Sequence, residues 1–114
     1  MTARLIVALI AATPAHGQPM FMTGNELYTQ CTSPDELVCS GFVMGVSDTI
    51  VTYQSAGAVR SVICLPKGVN TGHLIDAAVK YLGEKPEVCH YTAASSVIAA
   101  MLEAFPCRKV GETR

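Results

Sequence analysis

Residues 39–50 read CSGFVMGVSDTI. A cysteine opens the stretch, and Gly41 and Gly45 set a G-x-x-x-G spacing inside an apolar run. Three structures compete for such a pattern: a paired membrane helix, a turn carrying a catalytic serine or cysteine, or a packed helix of a small bundle. The bilayer reading fails because Ser40, Ser47 and Asp48 interrupt the run, and a membrane span needs about 20 mainly apolar residues. The catalytic reading fails on spacing. A nucleophile elbow requires G-x-S-x-G on a strand-to-helix turn, whereas Gly45-Val-Ser47 continues into Asp48 and Thr49.

The flanks favour the bundle helix. Thr23-Gly-Asn-Glu26 is a capping box, with a hydroxyl at the N-cap and a carboxylate at the third helical position, and predicts a helix over 24–31. Ser33-Pro34-Asp-Glu36 repeats the device with proline at the favoured first position, and predicts a second helix over 34–53. Val38, Phe42, Val46, Ile50 and Tyr53 then form one broad stripe, with Ser40 and Ser47 on the opposite face. On this reading Gly41 and Gly45 are a seam where a neighbouring helix comes close, and Asp48 beside it is a buried hydrogen-bond anchor.

Beyond Tyr53 the period breaks. Gly57, Pro66 and Gly68 mark turns, and residues 54–70 read as a long ordered loop anchored at Cys64. A third helix starts at Asn70 or Thr71, buries Leu74, Ile75, Ala78 and Leu82, and ends before Gly83. A charged connector over 83–90 leads to a fourth helix over 91–105, striped by Tyr91, Ala94, Val97, Ile98, Met101, Leu102 and Phe105 and stopped by Pro106. Strand signals are weak, with local pairing at 60–64 at most. The fold class is therefore all-α: a small disulfide-stapled bundle of about four helices with a long loop between helices two and three.

The first residues, MTARLIVALIAATPAHGQ, combine Arg4, an apolar Leu5–Ala12 and small residues around 15–17. This is the form of a secretory signal peptide cleaved near Gly17. The domains then read as a signal over 1–17, a helical domain over 18–107 and a polar tail over 108–114. Residues 18–114 keep seven Lys/Arg against nine Asp/Glu, with no basic block and no aromatic–basic interleaving. That composition offers no footprint for nucleic acid and no basic partner for an anionic membrane.

All five cysteines, at 31, 39, 64, 89 and 107, follow the leader, so export makes disulfides the default. An up-and-down order of helices favours Cys31–Cys39 and Cys64–Cys107, with Cys89 left over; Cys31–Cys107 with Cys39–Cys64 is the alternative pairing. Adjacent Cys89 and His90 lack an orienting third group, so a free or surface thiol outweighs a nucleophile. His73, His90 and Cys89 lack metal-ligand spacing, and Asp48 with Asp76 suits stripe edges better than a carboxylate pair. The sequence thus predicts no catalytic residue, no metal site and no cofactor: a domain that acts by binding.

The quoted segments also carry a resemblance. GNELYTQC (24–31), CSGFVMGVSD (39–48), CLPKGVNTGHLIDAAVKYLGEKPE (64–87) and AFPC (104–107) occur in that order. Together they resemble the Rap/Tai family of periplasmic immunity proteins associated with type VI secretion. The resemblance implies a small helical protein that binds and blocks a secreted peptidoglycan amidase effector, and, because some members are dimers, it allows a homodimer. Cys31, Cys39, Cys64 and Cys107 match the family's cysteine positions, Gly41, Gly45 and Asp48 match its second-helix framework, and Cys89 is an addition. The contact residues do not transfer. From loop length and anchoring alone, residues 54–70 are a rigid wedge with Arg60 and Lys67 as partner-binding side chains. The competing function is a periplasmic structural or stress-related binding protein without a toxin partner.

Overall fold

The computed structural model describes residues 20–108; the leader expected over 1–17 and the tail from 109 lie outside the described residues. Four α-helices follow one another: α1 (Gly24–Cys31), α2 (Leu37–Ser55), α3 (Thr71–Glu84) and α4 (Ala93–Ala104), with a short 3-10 turn, Pro86–Val88, before α4. Among the described residues there is no strand, only single antiparallel bridges at Thr23–Thr92 and Ile63–Pro106. Each helix touches the other three.

The capping box at α1 forms as the sequence dictates: the Thr23 hydroxyl accepts from the Glu26 amide, and the Glu26 carboxylate accepts from the Thr23 amide. The second box does not form. α2 begins three residues later than expected, at Leu37, with Glu36 at its N-cap and no side-chain cap bond. Ser33 instead donates to the carbonyls of Gln30 and Asp35, and Asp35 accepts from the Leu37 amide. These local bonds hold 32–36 as a corner, an alternative that Ser and Asp side chains offer to helix. At α3 the helix continues through Gly83 to Glu84, and Lys85 is its C-cap. At α4 the helix starts two residues later than expected, because Thr92 takes the N-cap and its hydroxyl accepts from the Ser95 amide.

The core is built on Leu27, Val43, Ala78, Leu82, Ala93, Val97 and Met101, all fully buried. The chain entering α1 is zipped to the loop entering α4. The Gly24 amide donates to the Tyr91 carbonyl, Asn25 to Cys89, and Ala93 to Met22.

The main correction concerns α2. Its buried residues are Cys39, Val43 and Ser47, one position away from the expected stripe and so rotated by roughly 100°. Val38 and Tyr53 are exposed, and Phe42, Val46 and Ile50 are half-buried. The helix is apolar on most sides, so periodicity alone did not choose its inner face. The Cys31–Cys39 bridge turns Cys39 inward, and its neighbours one and two turns on, Val43 and Ser47, follow.

Candidate partner-binding site

The segment between α2 and α3 is tied down on both edges. α2 ends at Ser55, and the chain turns at Gly57, whose φ of +72° only glycine adopts without strain. The amides of Ala58 and Val59 donate back to the Tyr53 carbonyl. Residues 58–61, Ala-Val-Arg-Ser, form an exposed tip. The chain then returns along the end of α4. The Cys64 amide donates to the Phe105 carbonyl, the Cys107 amide donates to the Val62 carbonyl, and the Cys64–Cys107 disulfide closes the same edge. Gly68, with φ +85°, makes the last turn before α3.

The opposite edge is held by one side chain that sequence reasoning missed. Gln54 is half-buried; its Oε1 accepts from the Val62 amide at 2.9 Å and the Ile63 amide at 3.0 Å, while its Nε2 donates to the Ile63 carbonyl at 2.9 Å. Nothing in the local pattern marks this glutamine, which ends an apolar helix and bonds to a backbone eight and nine residues away.

Arg60 and Lys67 are both exposed, Arg60 at the tip and Lys67 in the turn that follows Cys64. Among the described residues the ion pair formed is Lys85–Glu103, 2.6 Å, and neither loop cation pairs with a described carboxylate. Asp48, expected as a buried anchor, is exposed. The buried polar group on α2 is Ser47, whose hydroxyl lies 3.4 Å from the Met101 sulfur.

Gly41 and Gly45 do not form an internal seam. A Cβ built at either meets nothing within 4 Å. They floor an open apolar groove of about 530 Å³ between α2 and α4, walled by Phe42, Val46, Ile50 and Tyr53 and by Ala94 and Ile98. The glycine that does allow a close approach is Gly24, against Leu82 and Cys89.

Cys89 is the free cysteine, but it is buried rather than on the surface. Its sulfur lies 3.4 Å from the Leu82 carbonyl and 3.5 Å from the Lys85 carbonyl. His90 is exposed and packs on Tyr91 with ring centroids 4.1 Å apart. His73 is exposed and closes a reciprocal cap with Asn70 at the start of α3. Among the described residues no three His, Cys, Asp or Glu side chains gather in a metal-holding group, and no helix is long and apolar enough to cross a membrane. The arrangement presents a braced loop and an apolar groove, both suited to a macromolecular partner.

Residues 23–107 match the family model described as Rap1a immunity proteins. No curated protein and no solved structure matches the chain.

Proposed function

The chain belongs to the Rap1a immunity protein family, and from that membership we propose that it is a periplasmic, non-enzymatic inhibitor of a secreted peptidoglycan amidase delivered by a type VI system. Family membership over residues 23–107 is the observation that carries this reading. Two disulfides suit an oxidising compartment. The braced 56–62 loop supplies a physical means of inhibition: it enters the amidase cleft as a preformed wedge and excludes substrate. Because the loop is ordered before contact, little of the binding free energy is lost to ordering it. Arg60 and Lys67 are the side chains placed to meet the cleft. The test is capture of periplasmic and secreted hydrolases on residues 18–114, followed by an amidase assay. Stoichiometric inhibition of a neighbouring amidase is expected; failure to bind or inhibit any such hydrolase overturns the reading in favour of a structural or stress role.

The α2–α4 groove favours a homodimer as a second element of this reading. Its glycine floor and its Phe42–Val46–Ile50 ridge lie side by side on one helix, and no charged residue lines it. Such a face is self-complementary under a two-fold axis, the ridge of one copy seating on the floor of the other. Sedimentation equilibrium is expected to give a dimer that Gly45→Arg converts to monomer. A wild-type monomer at all concentrations overturns this element.

A further inference from the structure

We infer that Gln54 is the positioning residue of the loop, holding residues 58–62 in the shape that meets a partner. The inference rests on the proposed role of that loop and adds what controls it. The returning segment 62–64 has two edges. One is paired with 105–107 through backbone hydrogen bonds and the Cys64–Cys107 disulfide. The other would leave the amides of Val62 and Ile63 and the carbonyl of Ile63 without a strand beside them. Gln54 fills that place. Its side-chain amide has the donor and the acceptor of a peptide group, and it uses both, with three bonds of 2.9–3.0 Å. In effect a single side chain acts as a neighbouring strand of one residue.

Ile63 is buried, so its amide and carbonyl have no ready replacement in water if Gln54 is removed. The disulfide would still hold Cys64, and the α2 backbone would still hold Tyr53. Between them the tip, residues 58–61, would keep only the return bonds of Ala58 and Val59 to the Tyr53 carbonyl. The fold would survive and the loop would lose its single conformation. A partner that selects this conformation would then have to order it on binding.

Two substitutions separate hydrogen bonding from packing. Gln54→Met keeps the length and the apolar stem and removes all three bonds. Gln54→Glu keeps the two bonds accepted from Val62 and Ile63 and replaces the one donated to the Ile63 carbonyl by a carboxylate oxygen facing that carbonyl. Hydrogen exchange on the free protein reads the clamp directly. The Val62 and Ile63 amides are expected to exchange at least about tenfold faster in Gln54→Met, less so in Gln54→Glu, with helical circular dichroism and the Cys64–Cys107 bridge unchanged. Binding to the captured amidase is expected to weaken by about ten- to hundredfold in Gln54→Met, mostly through faster dissociation, with Gln54→Glu between it and wild type. Unchanged exchange in Gln54→Met overturns the clamp. Faster exchange with unchanged affinity overturns its role in recognition. If the wild-type protein binds no amidase, the proposed function fails, and the exchange measurement still decides whether Gln54 orders the loop.

Discussion

Gly24 lies flat against the backbone of Cys89: a Cβ at Gly24 would stand 3.0 Å from the Cys89 carbonyl oxygen and 3.1 Å from its Cα. Two hydrogen bonds beside this contact, Gly24 to Tyr91 and Asn25 to Cys89, zip the start of α1 to the loop before α4. The same Cβ would stand 2.9 Å from Leu82 Cδ2; a shift of that side chain relieves one contact but leaves the two with the Cys89 backbone. Gly24→Ala is therefore expected to destabilise by about 1–3 kcal/mol despite the better helix propensity of alanine. In a domain of this size that lowers Tm by roughly 4–8 °C per kcal/mol, measurable by thermal denaturation.

Ser47 and Met101 meet in the core with the hydroxyl 3.4 Å from the sulfur. Thioether sulfur is a weak acceptor, so losing this bond costs little, while emptying the space Met101 fills costs a cavity. Ser47→Ala is expected to change stability by no more than about 1 kcal/mol, and Met101→Ala to lower it by about 2–5 kcal/mol. Urea unfolding of the two variants separates these outcomes; equal losses would contradict this account of the core.

That pair also marks where the sequence was readable and where it was not. Thr23 with Glu26, and Asn70 at α3, announce their helices because capping is a bond between near neighbours. The inner face of α2 was not legible. Apolar residues surround that helix, and a serine one turn from Val43 looks like surface until a disulfide eight residues long turns Cys39 inward. The anchored loop was visible from Gly57, Pro66, Gly68 and Cys64. Gln54 was not, since its bonds depend on a loop path that no local pattern specifies.

Gly41 and Gly45 supply a third prediction. An added methyl at either meets open groove, and glycine within a helix is about 0.5–1 kcal/mol worse than alanine. Gly41→Ala and Gly45→Ala are each expected to raise the stability of the folded monomer by about that amount, read by chemical denaturation at low protein concentration. A loss above about 1 kcal/mol at either site would restore the internal seam that the sequence suggested.

The Lys85–Glu103 pair gives a pH signature. The hydrogen bond from Lys85 holds the Glu103 carboxyl below its ordinary value, and the same bond from Glu103 holds the Lys85 ammonium above its own. A depressed carboxyl stabilises above its unfolded pKa and loses that contribution as pH falls through the folded one; a raised ammonium stabilises below its unfolded pKa and loses it as pH rises through the folded one. The pair therefore acts across neutral pH and fades at both extremes. Both groups are solvent-exposed, so the effect is small and screened by salt. Glu103→Gln is expected to show a slight Tm deficit at neutral pH that vanishes in strong acid and in high salt.

The two disulfides differ in what they close. Cys31–Cys39 spans a sequence separation of 8, and Cys64–Cys107 one of 43. Loop-closure entropy in the unfolded chain gives about 2.5 kcal/mol for the first and about 4 kcal/mol for the second. The double variant Cys64→Ala/Cys107→Ala is thus expected to lose more stability than Cys31→Ala/Cys39→Ala. The separation is sharper for binding. Cys64 anchors the returning arm of the 56–62 loop, so its loss frees the loop as well as lowering stability. Cys31–Cys39 only orients α2. At a temperature where both double variants remain folded, the Cys64/Cys107 variant is expected to bind the proposed amidase partner at least about tenfold more weakly than the Cys31/Cys39 variant. Equal affinities would place the contact surface away from the loop.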